Sequence, residues 1–185
     1  MVLNNAMLKV NNHSEKFQLV NINGGKMNKE KTNRVLEYFD ELFPDAYCEL
    51  NHESDFQLLV AVMLSAQTTD KKVNQLTENL FKKYPTVEAV SQASLPELEQ
   101  DIKTIGLYRN KAKNLLALSH VLIEQFDGIV PSDQKQLESL PGVGRKTANV
   151  VRSVAFDIPA FAVDTHVERI SKRLGFAKRD DNVLT

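Results

Sequence analysis

The chain has 185 residues, of which 42% are hydrophobic and 25% charged, with a formal net charge of −1 and one cysteine. This composition is typical of a globular protein with a substantial core, and it excludes a uniformly basic nucleic-acid binder, a disulfide framework and a multi-cysteine metal site. No apolar run reaches the roughly 18 residues of a membrane span, and no signal-peptide pattern is present, so we expect a bacterial-type cytoplasmic protein.

The N-terminal residues 1–26 are polar and rich in asparagine, and they have no hydrophobic periodicity, which predicts disorder. Gly24-Gly25-Lys26 directly precedes Met27, and codons for that tripeptide can resemble a bacterial ribosome-binding site. We therefore interpret 1–26 as a disordered or mis-called extension, with Met27 as the natural start.

From Met27 onward the hydrophobic periodicity is helical, and no stretch alternates as a strand would, so the predicted fold class is all-α. The stretch 55–67, DFQLLVAVMLSAQ, follows the capping residue Ser54 and is apolar nearly all round, which predicts the central buried helix. Other helices are expected at 35–43 before Pro44, at 71–84, after the caps Thr86 and Ser94, at about 109–126, after the cap Ser132, after Gly144 and from about Thr165.

Charge is unevenly distributed along the chain. Residues 1–100 carry 10 basic and 14 acidic side chains, whereas residues 101–185 carry 13 and 10. The stretch 103–113, KTIGLYRNKAK, has four basic side chains and no acidic one. Local charge matters more than net charge for a polyanionic partner, so this stretch is a candidate nucleic-acid contact. On charge alone, a solvated helix face explains it equally well.

The stretch 140–151, LPGVGRKTANVV, has two glycines around one valine. A nucleotide phosphate loop is excluded, because Arg145 stands where that motif has glycine and the preceding segment is helical. The pattern instead predicts a helix-hairpin-helix over about 133–155. Gly142 and Gly144 are expected in conformations closed to other residues, with Val143 packed between the helices.

Backbone N–H groups of this hairpin and of the next helical turn, which includes Thr147, are expected to point outward and bind a nucleic-acid phosphate. From the spacing alone, a glycine-rich corner between two core helices remains an alternative.

This stretch is followed, eighteen residues after Lys146, by Asp164 in AVDTHVERI. Together they resemble the helix-hairpin-helix DNA glycosylases, and in particular the endonuclease III family. LLVAVMLSAQTTD (58–70) and IKTIGLYRNKA (102–112) resemble two further stretches of that family. The resemblance extends over 27–185. It implies a monomeric repair enzyme that removes oxidised pyrimidines from duplex DNA and cleaves the abasic site by β-elimination.

The resemblance assigns Lys146 as the nucleophile and Asp164 as its partner carboxylate. A lysine attacks only as the neutral amine, and the positive potential at a helix start beside Arg145 disfavours the ammonium form. A carboxylate can accept a proton or stabilise positive charge on the sugar. Alternatively, Lys146 contacts a phosphate, and Asp164 is the N-cap of the helix that follows it, a role compatible with catalysis.

An enzyme that acts on a base must take it out of the duplex, and side chains fill the gap. The resemblance assigns Gln67 as a polar wedge and Leu107 as an apolar wedge. The basic residues Arg109, Lys111 and Lys113 are expected to hold phosphates. Otherwise Gln67 is a polar residue at a helix end and Leu107 is a core anchor.

Members of the family continue with further helices and a four-cysteine loop that holds a [4Fe-4S] cluster. With Cys48 as the single cysteine, no such cluster can form in this sequence, and Cys48 is expected to be a small core residue. We therefore interpret the sequence as a fragment or a truncation. The predicted domains are a six-helix domain over 51–157 and a split second domain, formed by a helix within 27–50 and a return segment over 158–185.

Two other functions compete with the lyase. One is a non-catalytic helix-hairpin-helix DNA-binding fragment, which needs neither Lys146 nor Asp164. The other is a relative of the adenine-mismatch glycosylases, which share the hairpin and the aspartate but lack a lysine at the position of Lys146. The lysine and the aspartate together favour the bifunctional enzyme.

Overall fold

The computed structural model describes residues 29–42, 44, 47–178 and 180–181. These residues form nine helices and no strand, which confirms the all-α class. The predictions for 1–26 and for a start at Met27 lie outside the described residues. The helices are α1 Lys29–Leu42, α2 Asp55–Leu64, α3 Asp70–Lys83, α4 Val87–Ser91, α5 Leu95–Ile102, α6 Tyr108–Phe126, α7 Gln134–Ser139, α8 Arg145–Ala155 and α9 Thr165–Leu174.

The described residues divide into two compact units. The core unit, Cys48–Ala160, contains α2 to α8. The terminal unit contains α1 and α9, from the residues up to Tyr47 and from Phe161 onward. The core unit contains seven helices, and the five-residue Val87–Ser91, which follows the predicted cap Thr86, is one of them.

The centre of the core unit is α2. Every residue of this helix from Phe56 to Leu64 is buried, as the apolar sequence predicts, and α2 packs against α3, α6 and α8. The helix ends at Leu64, three residues before the predicted end at Gln67. The turn that follows is exposed at Gln67, and this shorter helix places that side chain outside the core.

Side-chain caps explain where five helices of the core unit begin. The predicted caps Ser54, Thr86 and Ser94 each accept a backbone N–H from the first turn of their helix, and Thr69 does the same for α3. The predicted cap Ser132 is wrong. Asp133 caps α7, because its carboxylate accepts the N–H groups of the residues two and three positions on. Helices α6 and α8 begin without any side-chain cap.

The terminal unit contains two amphipathic helices. Helix α1 begins at Lys29, before the apolar run 35–43 that indicates it, and Val35 and Phe39 are half-buried. Helix α9 ends at Leu174, and Gly175 follows with a φ of 85°, the left-handed turn that glycine favours. Within the part of the chain that the structure describes, no helix is long and apolar enough to cross a membrane.

Candidate functional site

The predicted hairpin joins α7 to α8, two helices that pack against each other. Leu140 and Val143 are buried, so Val143 packs into the corner as predicted. Its N–H, however, donates to the carbonyl of Leu140 at 3.1 Å. The expectation that every hairpin N–H points outward is therefore wrong for Val143, because this N–H closes the turn.

Gly142 meets two separate requirements for glycine. Its φ is +79°, in the left-handed region, and an added Cβ would lie 2.9 Å from Cβ of Asn114 and 3.0 Å from Sδ of Met63. The hairpin thus rests directly on α6 and α2, and no side chain fits between them. Sequence reasoning missed both neighbours, since nothing local to either residue marks a contact with a distant hairpin.

Gly144 is different from Gly142. Its φ of −97° is open to any residue, so the predicted special conformation is wrong at this position. An added Cβ at Gly144 would meet no atom within 4 Å. Glycine here leaves open space in front of the first turn of α8, where a ligand can approach the backbone.

The first turn of α8 is exposed and basic. Arg145 and Lys146 are both exposed, Thr147 is half-buried, and the turn contains no acidic residue. Nε of Arg145 lies 3.8 Å from Oε1 of Glu138, but such a surface pair is weak. The N-terminal end of a helix is itself partly positive, so this turn favours an anion in the open space beside Gly144.

The two predicted wedges share an unusual backbone conformation. Among the described residues, four that are not glycine have positive φ, and two of these are Asp127 and Asp157. Aspartate tolerates the left-handed region comparatively well. The other two are Gln67, at φ 56°, and Leu107, at φ 57°. Strain of this kind persists only where the surrounding structure imposes it, and it clusters at functional sites.

Both wedge side chains are also exposed. Leu107 is 57% exposed, so the alternative of a core anchor is wrong for this leucine. It is the residue before α6, and Gln67 lies in the turn between α2 and α3. A large apolar side chain held outward at a strained position is consistent with insertion into a duplex.

Lys111 is not placed as a phosphate contact. Its side chain is buried, and Nζ donates to the carbonyls of Leu64 and Ala66 at 2.9 and 2.7 Å and to Oγ1 of Thr68 at 3.1 Å. Burial lowers the pKa of this ammonium group. The predicted phosphate contact of Lys111 is wrong in this structure, because protein oxygens take all three of its donors.

The other two predicted phosphate contacts, Arg109 and Lys113, are exposed. The guanidinium of Arg109 lies 5.4 Å from the centre of the Tyr108 ring, and Lys113 lies one turn further along α6. The sequence contains a signal that separates these residues. Lys111 falls on the buried stripe of α6, at helical spacing with Leu115, whereas Arg109 and Lys113 fall off it.

In the terminal unit, Asp164 is the N-cap of α9. Its Oδ1 accepts the N–H groups of His166 and Val167 at 2.9 and 2.8 Å. The N-cap interpretation of Asp164 is thereby confirmed. Nδ1 of His166 lies 3.0 Å from a guanidinium nitrogen of Arg169. The first turn of α9 is thus ordered around the aspartate by local hydrogen bonds.

Residues 60–184 match the HhH-GPD superfamily of base excision DNA repair proteins. Endonuclease III of Bacillus subtilis (strain 168) is 56% identical over 158 residues, which cover 85% of this chain and 72% of that protein. The chain belongs to the endonuclease III family of HhH-GPD repair proteins. Endonuclease III of Escherichia coli (strain K12) is 47% identical over 151 residues, 82% of this chain and 72% of that relative.

The chain is also similar in fold to solved structures of DNA repair proteins. A non-covalent endonuclease III–DNA complex superposes with a TM-score of 0.81 at 55% identity, over 86% of this chain and 74% of that one. A trapped covalent endonuclease III–DNA intermediate gives 0.81 at 56% identity, over 86% and 75%. A thermostable thymine-DNA glycosylase gives 0.72 at 27% identity, over 77% and 67%.

The residues present do not fit the iron–sulfur cluster that the endonuclease III family implies. A [4Fe-4S] cluster is held by four cysteine thiolates, and Cys48 is the single cysteine of this sequence. No group of three or more His, Cys, Asp and Glu side chains is placed to hold a metal within the described ranges. Cys48 is half-buried, so its predicted place in the core is wrong.

Proposed function

We propose that this chain removes oxidised pyrimidine bases from duplex DNA and cleaves the resulting abasic site through a Schiff base on Lys146. The observation that carries the proposal is the exposed Lys146 in an uncapped, acid-free first turn of α8, beside the open space at Gly144. The family and the trapped covalent complex of a relative support it. We propose further that the enzyme acts as a monomer in the cytoplasm.

The proposed reaction begins with the neutral amine of Lys146. Neutral Nζ of Lys146 attacks C1′ of the damaged nucleotide, the bond from C1′ to the base breaks, and the base leaves with the electron pair. The attacking nitrogen loses a proton, the bond from C1′ to the ring oxygen breaks, and that oxygen takes up a proton, which leaves an iminium ion between Nζ and C1′. Loss of the C2′ proton then expels the 3′ phosphate, and water hydrolyses the imine to regenerate the amine.

Asp164 is proposed as the carboxylate of this reaction. It would accept a proton from the attacking amine or stabilise positive charge that develops on the sugar. Its hydrogen bonds to the N–H groups of His166 and Val167 hold the carboxylate in one orientation. A fixed carboxylate stabilises the transition state better than a mobile one, because no reorganisation is needed at the moment of reaction.

DNA would be bound mainly through its backbone. The exposed cations Arg109 and Arg145, together with the N–H groups at the start of α8, are proposed to hold phosphates near the lesion. Gln67 and Leu107 are proposed to enter the duplex where the damaged base leaves it. The contacts at the phosphates carry no sequence information, which suits a repair enzyme that finds lesions in any context.

Borohydride trapping tests the proposal. Wild-type protein is incubated with sodium borohydride and a duplex that contains one abasic site, and the covalent adduct is measured on a denaturing gel. We expect an adduct with wild type and none with Lys146→Gln, while Lys146→Gln still binds the same duplex. Arg145→Gln is the control: it removes the neighbouring cation and should weaken binding but still form adduct. DNA binding without any wild-type adduct would favour the non-catalytic DNA-binding protein instead.

A further inference from the structure

The buried ammonium of Lys111 joins two parts of the core unit that are distant in sequence. We define the Gln67 turn as residues 65–69. Two of the oxygens that accept from Nζ belong to the residues directly before and after Gln67, Ala66 and Thr68. The third is the carbonyl of Leu64, the last residue of α2. The ammonium therefore holds the backbone on both sides of Gln67, and Gln67 itself has a strained left-handed conformation.

The same lysine is fixed relative to the second wedge. Its backbone N–H donates to the carbonyl of Leu107 at 3.0 Å, as the first helical hydrogen bond of α6. Lys111 thus stands one helical turn after Leu107 and reaches across to the Gln67 turn. Through this residue, hydrogen bonds fix one wedge relative to the other.

An ordinary structural explanation exists for part of this arrangement. A lysine near a helix C-terminus often satisfies the last carbonyls of that helix, and the bond to Leu64 is of that kind. It does not explain the bonds to Ala66 and Thr68, which lie beyond the helix. Those two acceptors flank Gln67, the residue with a left-handed φ of 56°.

We propose that Lys111 is a positioning residue of the repair reaction: it holds Gln67 in the left-handed conformation from which this side chain enters the duplex. This proposal rests on the proposed function, since it assigns Lys111 to support Gln67, one of the two proposed wedges. Its lowered pKa agrees with an amine held by neutral oxygens away from water. Lys111 would act on catalysis through the Gln67 turn and without touching DNA.

The test is a double-mutant cycle of Lys111→Met and Gln67→Ala. Methionine keeps the length and apolar part of the side chain and removes its three donors. The substrate is a duplex with one thymine glycol, measured under single-turnover conditions. We expect Lys111→Met to slow base removal about tenfold in wild type and to have little further effect in Gln67→Ala, because residues that act as one unit are non-additive. If the double variant instead loses the product of the two single-variant factors, the residues act independently and the proposal is overturned.

Single-stranded DNA separates a positioning role from a general structural one. A single strand that contains an abasic site has no stacked partner to displace, so Lys111→Met should cleave it at a rate near that of wild type. An equal loss on single strand and duplex would overturn the proposal. Lys113→Met is the matched control, since it removes the same charge from an exposed position of α6. Lys113→Met should lose activity on both substrates, and the difference from wild type should become smaller as the salt concentration rises.

Two further measurements keep the outcome decisive. If Lys111→Met does not fold, Thr68→Val removes one acceptor of the ammonium, and it should reduce duplex base removal while sparing the single strand. In the DNA-free protein, Lys111→Met or Thr68→Val should speed hydrogen exchange at the N–H of Thr68, which donates to Ser65 at 3.0 Å. Unchanged exchange would overturn the proposal. If wild type forms no borohydride adduct, the proposed function is overturned. Hydrogen exchange at the N–H of Thr68 then still shows whether Lys111 holds the Gln67 turn.

Discussion

The side chain of Asn114 occupies the space in which a side chain at Gly142 would lie. An ideal Cβ on Gly142 would come within 2.9 Å of both Cβ and Nδ2 of Asn114. Two residues 28 positions apart in sequence thus set the distance between the hairpin and α6. This contact packs the hairpin closely against the core unit.

Gly142→Ala should therefore destabilise the protein, whereas Gly144→Ala should not do so to the same extent. At Gly142 the methyl group meets both a clash and a φ of +79°, and we expect a loss of about 1–3 kcal/mol in unfolding free energy. At Gly144 the space is open, and the loss should stay below about 1 kcal/mol, the usual scale of an N-cap effect. Chemical denaturation measures both.

The affinity for abasic-site DNA provides a second test of Gly144→Ala, independent of its stability. Gly144→Ala fills part of the open space in front of α8, so it should weaken binding without unfolding the protein. Full affinity in folded Gly144→Ala would count against a phosphate at this position.

Asp164→Asn and Asp164→Ala should separate catalysis from helix capping. Asparagine keeps an oxygen that accepts the N–H groups of His166 and Val167 but has no charge, so stability should change little. Alanine removes the cap as well and should lower the unfolding free energy by about 0.5–2 kcal/mol. Both variants should lose about 100-fold or more in base removal, since general acid–base or charge stabilisation is of that size. An active Asp164→Asn would leave Asp164 with the capping role alone.

Leu107→Ala should reduce base removal from duplex DNA and leave stability almost unchanged, because this leucine is exposed and not part of the core. Displacing a stacked base requires a few kcal/mol, so single-stranded substrates should be cleaved normally. Ile129→Ala is the matched control: Ile129 is 69% exposed on the same unit, but no motif includes it. Equal activities of the two variants on duplex would contradict the wedge.

Arg109→Gln should lower both DNA affinity and its dependence on salt. The guanidinium is exposed, and removing one cation from a phosphate should reduce the slope of log affinity against log salt by about 0.9. Titrations between low and physiological salt measure this slope. Lys111→Met should leave the slope unchanged, because that ammonium is buried among protein oxygens. A slope that falls equally in both variants would place Lys111 on the DNA.

Several features of this protein followed from the sequence alone. The helices, the buried character of α2 and the caps Ser54, Thr86 and Ser94 depend on local spacing and local hydrogen bonds, which the sequence contains in full. The family followed from short motifs such as LPGVGRKTANVV, since residues that perform chemistry are restricted in type and in spacing. Asp164 as a helix cap was likewise visible from its place before Thr165.

Other features were decided by tertiary structure. Whether a lysine contacts DNA or a buried carbonyl depends on which elements pack around it. Lys111 donates to the carbonyl of Leu64 at the end of α2, 47 residues earlier in the chain. Glycine is needed at Gly142 but not at Gly144 because only Gly142 has a φ of +79° and only Gly142 is approached by Asn114 and Met63. The left-handed φ of 56° at Gln67 also has no local mark in the sequence, because residues other than glycine seldom adopt it. Contacts between distant segments have no local signature, because their energy arises only when packing brings the partners together.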